Sequence, residues 1–313
     1  MKTRILGKRG PEITVIGFGA WAIGGPWEFG WGTVDDKESI KAIHRGLDLG
    51  INWIDTAAVY GLGHSEEVVA EAIRGIRQEV FLATKCGMVW DQQGKVTKNL
   101  KPKSIRKEIE DSLRRLQTDH IDLYQFHWPD VTTPVEDSWS VMTDLVQEGK
   151  VRFIGVCNFS VEELERCRKI APVQSLQPPY HMLRRDIEKE LLPYCGKQGI
   201  GIVAYSPMAS GLLTGKFNFD SLAGDDWRRK DPQFDKLSRE KVARLLDQLN
   251  PIAQRHKLSL GELAVAWVLR NENLTSAIVG ARKAWQIEEI VGAADVMLSS
   301  HDIDSIGSFL VNL

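Results

Sequence analysis

Ile51-Asn52-Trp53-Ile54-Asp55, Val80-Phe81-Leu82-Ala83-Thr84-Lys85 and Ile121-Asp122-Leu123-Tyr124-Gln125-Phe126-His127 share one design. Each is a short apolar, β-rich run that finishes in a charged or titratable group. Runs of this length, bounded by loop or helix signals, read as buried strands. Five more short β-rich runs occur, at 15–19, 151–156, 173–177, 201–205 and 276–279. Between them lie amphipathic segments near 37–49, 65–74, 103–117, 134–147, 160–170, 187–198 and 239–256, with another near 285–293. Ser65-Glu66-Glu67 and Ser160-Val161-Glu162-Glu163 look like helix starts, and the second fits a capping box. Thr133-Pro134 puts proline at a first helical position. Strands that alternate with helices imply parallel pairing through right-handed crossovers. Eight units in 313 residues fit a closed (β/α)8 barrel of the TIM type better than an open sheet. Arg4-Ile5-Leu6 and Ile13-Thr14-Val15-Ile16, around Gly10-Pro11, predict a hairpin ahead of the barrel. The whole chain, 1–313, is expected to form a single barrel domain.

The barrel reading gathers the polar strand ends. In this architecture the C-terminal strand ends form one face, where active sites sit. Asp55, Lys85 and His127 then converge, and Tyr60 joins them from the loop that leaves 51–55. A phenol beside an ammonium, a carboxylate and an imidazole suits proton transfer. Two long loops, about 20–35 and 206–238, belong to the same face and read as lids or binding loops. Trp21, Trp27, Trp31, Trp90 and Trp128 all follow strands. They suggest an aromatic-walled mouth for apolar or aromatic small molecules. Trp53, Trp139 and Trp267 fall inside elements and read as core.

Composition excludes several classes. The chain is 43% hydrophobic and 26% charged, with a net charge of −2, so nothing favours nucleic acid or an anionic membrane. No apolar stretch approaches the roughly 18 residues of a membrane span. The first residues, Met1-Lys2-Thr3-Arg4, carry no apolar leader. Cys86, Cys157, Cys167 and Cys195 show no metal spacing and no disulfide framework, and a reducing cytoplasm is expected. Alternation turns Cys86 away from Lys85, into packing. Asp55, Lys85 and His127 do not make a metal-ligand set, because lysine is a poor ligand here. Gly17-Phe18-Gly19-Ala20-Trp21 lacks the third glycine of a dinucleotide turn and leads into a loop.

Ile54-Asp55-Thr56-Ala57-Ala58-Val59-Tyr60-Gly61 with Ser65-Glu66, Ala83-Thr84-Lys85, and Asp122-Leu123-Tyr124-Gln125-Phe126-His127-Trp128-Pro129 resemble motifs of the aldo-keto reductases. So do the segment Gly149–Ser160, Ala204-Tyr205-Ser206-Pro207-Met208, and Ile278-Val279-Gly280-Ala281-Arg282. Six motifs in order span essentially the whole chain, most like bacterial members with a long loop after the seventh strand. The resemblance implies reduction of aldehydes and ketones with a nicotinamide, usually NADPH. It makes Tyr60 the proton donor, with Lys85 lowering its pKa, Asp55 pairing with Lys85, and His127 orienting the carbonyl or passing the proton. It places the nicotinamide carboxamide against Asn158 and Gln177, with Ser206 assisting and Tyr205 stacked on the ring. The segment 207–216, with Pro207, Met208, Gly211, Leu212 and Lys216, would cover the pyrophosphate. The adenosine end would lie at Gly280, Arg282, Gln286 and Glu289. Many relatives carry Glu-Asn where this chain has Glu289-Ile290, and Gln286 stands at a common arginine position. Arg282 or Lys283 must then carry the charge of a 2′-phosphate, and Arg282 is a good candidate because a guanidinium matches phosphate oxygens in a bidentate manner. NADPH is expected, with NADH possible. The implied partner is a small-molecule carbonyl compound, with the chain a monomer or weak homo-oligomer. The alternative is a nicotinamide-binding regulatory or sensor subunit of the same fold with little turnover.

Overall fold

A computed structural model describes residues 1–311. A hairpin, β1 (Thr3–Ile5) and β2 (Glu12–Thr14), precedes the first barrel strand, β3 (Ile16–Gly19). The other barrel strands are β4 (Trp53–Asp55), β5 (Phe81–Cys86), β8 (Ile121–Phe126), β9 (Val151–Cys157), β10 (Ser175–Gln177), β11 (Gly201–Tyr205) and β12 (Ser276–Gly280). A second hairpin, β6 (Met88–Trp90) and β7 (Val96–Lys98), sits after β5. The eight barrel strands pair in parallel, and β12 closes onto β3 with Ile278 beside Gly17. This is a (β/α)8 TIM barrel, as the strand–helix alternation predicts, and all eight strand segments were legible.

Each strand is buried on both faces, which is why it reads as an apolar run rather than an alternation. Successive side chains still point to opposite sides. Outward residues such as Ile54, Leu82, Tyr124 and Val156 join the core shared with the helices. Inward residues stack in layers. Trp53, Ala83, Leu123 and Val203 form an apolar lower layer, and Leu6 and Ile13 of the N-terminal hairpin plug it from below. Two residues further along the same strands the inward positions are Asp55, Lys85, Gln125 and Tyr205. The polarity of the barrel interior therefore switches within one period of the strand.

The surrounding helices are α1 (Asp36–Asp48), α2 (His64–Ala72), α3 (Pro102–Leu116), α4 (Val135–Gln147), α5 (Val161–Arg168), α6 (Leu191–Gln198), α7 (Lys236–His256), α8 (Leu260–Leu269), α9 (Ala284–Val291) and α10 (Ser300–Val311). Ser160 and Glu163 form the expected capping box. Ser65 does not cap α2, which starts at His64; its hydroxyl donates to the Ala20 carbonyl at 2.9 Å. The sequence reading missed α8, because Gly261 and every residue from Leu263 to Leu269 are buried and no polar face marks a helical period. It also missed α10 and the β6–β7 hairpin. No described helix is long and apolar enough to cross a membrane.

Two buried acids sit behind β5. Glu66 on α2 is fully buried, accepting from Thr84 Oγ1 and Arg115 Nε, each at 2.6 Å. This ties α2 and α3 to the strand that carries Lys85. Removing one member of a buried pair strands the other charge, so Arg115→Met is expected to cost about 3 kcal/mol. Urea unfolding reads that loss, and adding Glu66→Gln should restore much of it. Glu108 on α3 accepts from the Gly87 N–H at 2.9 Å and from Ser104 Oγ at 3.1 Å. Burial nevertheless pushes its pKa up from 4.5 to about 7. A carboxyl that holds its proton more tightly when folded supports the fold most below 4.5, and that support is lost as pH rises to about 7. Glu108→Gln is expected to flatten this part of the stability curve, measured by urea midpoints near both values. A slope equal to the parent's would show that Glu108 is not its source.

Candidate active site

Asp55, at the end of β4, and Lys85, inside β5, face each other across the top of the barrel. Lys85 Nζ donates to Asp55 Oδ1 at 2.5 Å, to the Thr56 carbonyl at 2.9 Å and to Tyr60 Oη at 3.2 Å. All three donor directions of the ammonium are used, and its side chain is fully buried. Tyr60 is held by a tight backbone crossing. Gly61 has φ +62°, and a Cβ there would lie 1.8 Å from the Gly24 carbonyl oxygen. Only glycine lets the Tyr60 loop pass the loop after β3 at this distance. His127, one residue beyond β8, sets its ring edge-on to Tyr60 with centroids 5.5 Å apart. The four polar strand-end and loop residues thus meet in one place.

The charges of the group are set mainly by burial. Burial pushes the Tyr60 phenol up to about 12, with Lys85 pulling it down and Asp55 pushing it up. The lowering expected from Lys85 is present but does not win. Burial works against the Lys85 ammonium, but Asp55 and Tyr60 outweigh it and its pKa rises. Burial, reinforced by Lys85, holds His127 well below its ordinary value, so the imidazole is neutral at pH 7. The assembly is a protonated phenol, a neutral imidazole and an ion pair, opening into a cavity of about 1160 Å³.

One wall of that cavity carries the predicted nicotinamide residues. Asn158, at φ +61°, donates to the His127 carbonyl at 3.1 Å and accepts from Tyr205 Oη at 3.0 Å. Gln177 lines the cavity, but its Nε2 donates to Asp55 Oδ2 at 2.8 Å. Its amide therefore supports the ion pair while its oxygen stays available to a carboxamide. Tyr205 and Ser206 complete the wall. Ser206, Ala209 and Ser210 all adopt positive φ, at 55°, 50° and 52°. Such backbone strain clusters where a loop is shaped for a purpose.

The groove continues along the long loop after β11 to the start of α9. Pro207, Met208, Gly211 and Lys216 line it, whereas Leu212 is buried in the core behind. Gly280, Arg282, Gln286 and Glu289 line the far end. Gln286 Oε1 accepts from the Arg282 and Lys283 N–H groups at 2.8 and 3.1 Å, so it caps α9. Lys216 Nζ pairs with Glu289 Oε1 at 2.6 Å, joining the long loop to α9. Arg282 is half-buried and donates to the Trp31 carbonyl at 3.2 Å.

Trp21, Trp27 and Trp31 line the mouth, as does Trp128, which has Lys98 Nζ 4.9 Å above its ring. Trp90 does not line it; it packs at the edge of the Tyr60 cluster and near Arg115. The sequence reading missed Trp227, which stacks on Trp21 with centroids 5.2 Å apart. Beside it, Arg228 lies 4.2 Å over Trp31 and forms a buried pair with Asp226. The signal was available, since Trp227-Arg228 falls within the long loop at 206–238.

Comparison with known proteins agrees with this geometry. The family model described as the aldo/keto reductase family matches residues 15–310. The aldo-keto reductase YhdN of Bacillus subtilis (strain 168) is 41% identical over 97% of this chain and 92% of its own. The NADH-specific methylglyoxal reductase of Escherichia coli (strain K12) is 36% identical over 96% of each. Among solved structures, a glycerol dehydrogenase of Gluconobacter oxydans superposes with a TM-score of 0.89 at 40% identity, over 99% of this chain and 95% of that one. The chain belongs to the aldo/keto reductase family and is an oxidoreductase of carbonyl chemistry.

Proposed function

We propose that the protein is an NADPH-dependent reductase of aldehydes and ketones, acting as one catalytic unit, with Tyr60 as the proton donor. The observation that carries this reading is the hydrogen bond from Lys85 Nζ to Tyr60 Oη at 3.2 Å, with Asp55 behind it and His127 alongside. The cavity suits a dinucleotide: an amide wall at Asn158 and Gln177 at one end, and the cations Lys216 and Arg282 at the other. Bound there, the nicotinamide would supply hydride to the carbonyl carbon. Negative charge then builds on the carbonyl oxygen, and Tyr60 Oη donates a proton to it. Lys85 stabilises the phenolate left behind, and the ion pair needs no reorganisation at that moment. Neutral His127 offers a ring nitrogen to the same oxygen. The aromatic mouth excludes water and favours apolar carbonyl compounds. Arg282 supports a 2′-phosphate and thus NADPH, whereas the methylglyoxal reductase relative is NADH-specific. A cytoplasmic monomer or weak homo-oligomer fits the reading.

Tyr60→Phe is expected to bind NADPH within about twofold of the parent and to lose reduction by at least a hundredfold, roughly the worth of a positioned acid. Steady-state rates with 4-nitrobenzaldehyde and fluorescence titration with NADPH check this; parental turnover in the variant would refute the assignment. The same assay separates catalysis from sensing, since a regulatory subunit would oxidise at most one NADPH per chain. Because burial holds the Tyr60 proton until about pH 12, no alkaline loss of reduction from Tyr60 is expected across the neutral range. A pH profile of kcat that falls through pH 8 would contradict it. Arg282→Ala is expected to weaken NADPH by roughly tenfold or more, the worth of a charge-assisted pair, with little effect on NADH. Equal weakening of both cofactors would move the phosphate contact elsewhere.

A further inference from the structure

Level with the ion pair lies a row of polar positions that the proposed mechanism does not use. Lys85 on β5 is in register with Gln125 on β8, Gln125 with Gly155 on β9, and Gly155 with Ser175 on β10. Gln125 and Ser175 are fully buried inside the barrel. Buried amides and hydroxyls are retained only where they find partners. Here they find each other and Asp55. Ser175 Oγ donates to Gln125 Oε1 at 3.3 Å, and Gln125 Nε2 points at Asp55 Oδ2 at 3.5 Å. A carboxylate only accepts, so the amide nitrogen is the end turned to Asp55, and the serine hydroxyl donates to the amide oxygen.

Gly155 explains how the contact fits. Glycine inside a strand weakens it, and often marks a close approach. A Cβ at 155 would lie 2.2 Å from Ser175 Oγ and 3.3 Å from Gln125 Cγ. The missing side chain is the space in which serine and glutamine meet. Asp55 Oδ1 is taken by Lys85, while Oδ2 receives Gln177 at 2.8 Å and Gln125 at longer range. The charged and titratable groups around this point are Asp55 from β4, Lys85 from β5, Tyr60 from the following loop, His127 after β8, and Cys157 from β9.

We propose that Gln125, oriented by Ser175 in the space left by Gly155, is a positioning residue that holds the Asp55 carboxylate, and through it Lys85, in line with Tyr60. This deepens the reductase reading and rests on it. Gln125 does not line the cavity, so its loss is expected to act on the chemical step.

The test compares Gln125→Met, which keeps length and bulk but removes the amide, with the parent. The expected result is a kcat lower by about tenfold, the worth of one hydrogen bond to a charged group, with KM and NADPH affinity within roughly twofold and an unchanged melting temperature. A crystal structure of the variant should show the Lys85 Nζ to Tyr60 Oη contact lengthened from 3.2 Å. Parental kcat with an unmoved contact overturns the proposal, and so does a joint decline of kcat, affinity and melting temperature. If Gln125→Met does not fold, Ser175→Ala must show the same pattern in smaller measure, and parental behaviour there overturns it equally. Absence of turnover in the parent would refute the reductase reading, and the crystallographic comparison would still decide the role of Gln125.

Discussion

A lysine ammonium buried in a barrel has to be neutralised where it stands, and much of this molecule follows from that requirement. Lys85 is fully buried and pairs with Asp55, which is nearly so. Its remaining valences are met by the Thr56 carbonyl on one side and by the Gln177 amide on the other, with the Gln125 amide at longer range. Those partners come from three different strands or their ends. The closed barrel brings them together, and the polar upper layer is tolerated because the apolar layer beneath it supplies the core. Tyr60 then finds a cation at its hydroxyl, in a place where water would otherwise screen it.

The same burial sets the electrostatic character of the group. It raises the phenol and suppresses protonation of His127, so both groups stay uncharged at neutral pH. The ion pair is the fixed charge, and the donors around it are held ready. The aromatic wall of Trp21, Trp31 and Trp227 extends the dry region outward, with Arg228 seated on Trp31 and its charge met by Asp226.

How far this could be read from the residues depended on the kind of signal. Strands buried on both faces announce themselves as apolar runs, and a lysine or aspartate at the end of such a run is conspicuous. Asp55, Tyr60, Lys85 and His127 were therefore legible, as were the eight strands. Helix α8 was not, because a helix buried on all sides has no period. Nor were the actual partners of Gln177 and Gln286, which turn to Asp55 and to the α9 backbone. An amide's choice among nearby donors and acceptors is settled by tertiary neighbours that the linear order does not reveal. Trp90 illustrates the same limit from the other side: a tryptophan after a strand can reach the mouth or, as here, pack behind it.

The seam of the barrel has a consequence for how the chain comes into being. β3 pairs with β12, across some 260 residues, and Arg4 donates to the carbonyls of Leu269, Asn271 and Leu274. During synthesis the first strand emerges long before its partner exists. Until the last strand arrives, β3 and β11 present unpaired edges, and the hairpin that plugs the floor has no finished floor to plug. The growing chain therefore passes through a long interval as an open, sticky sheet. The tether of Arg4 to the far end of the sequence makes closure a single late event.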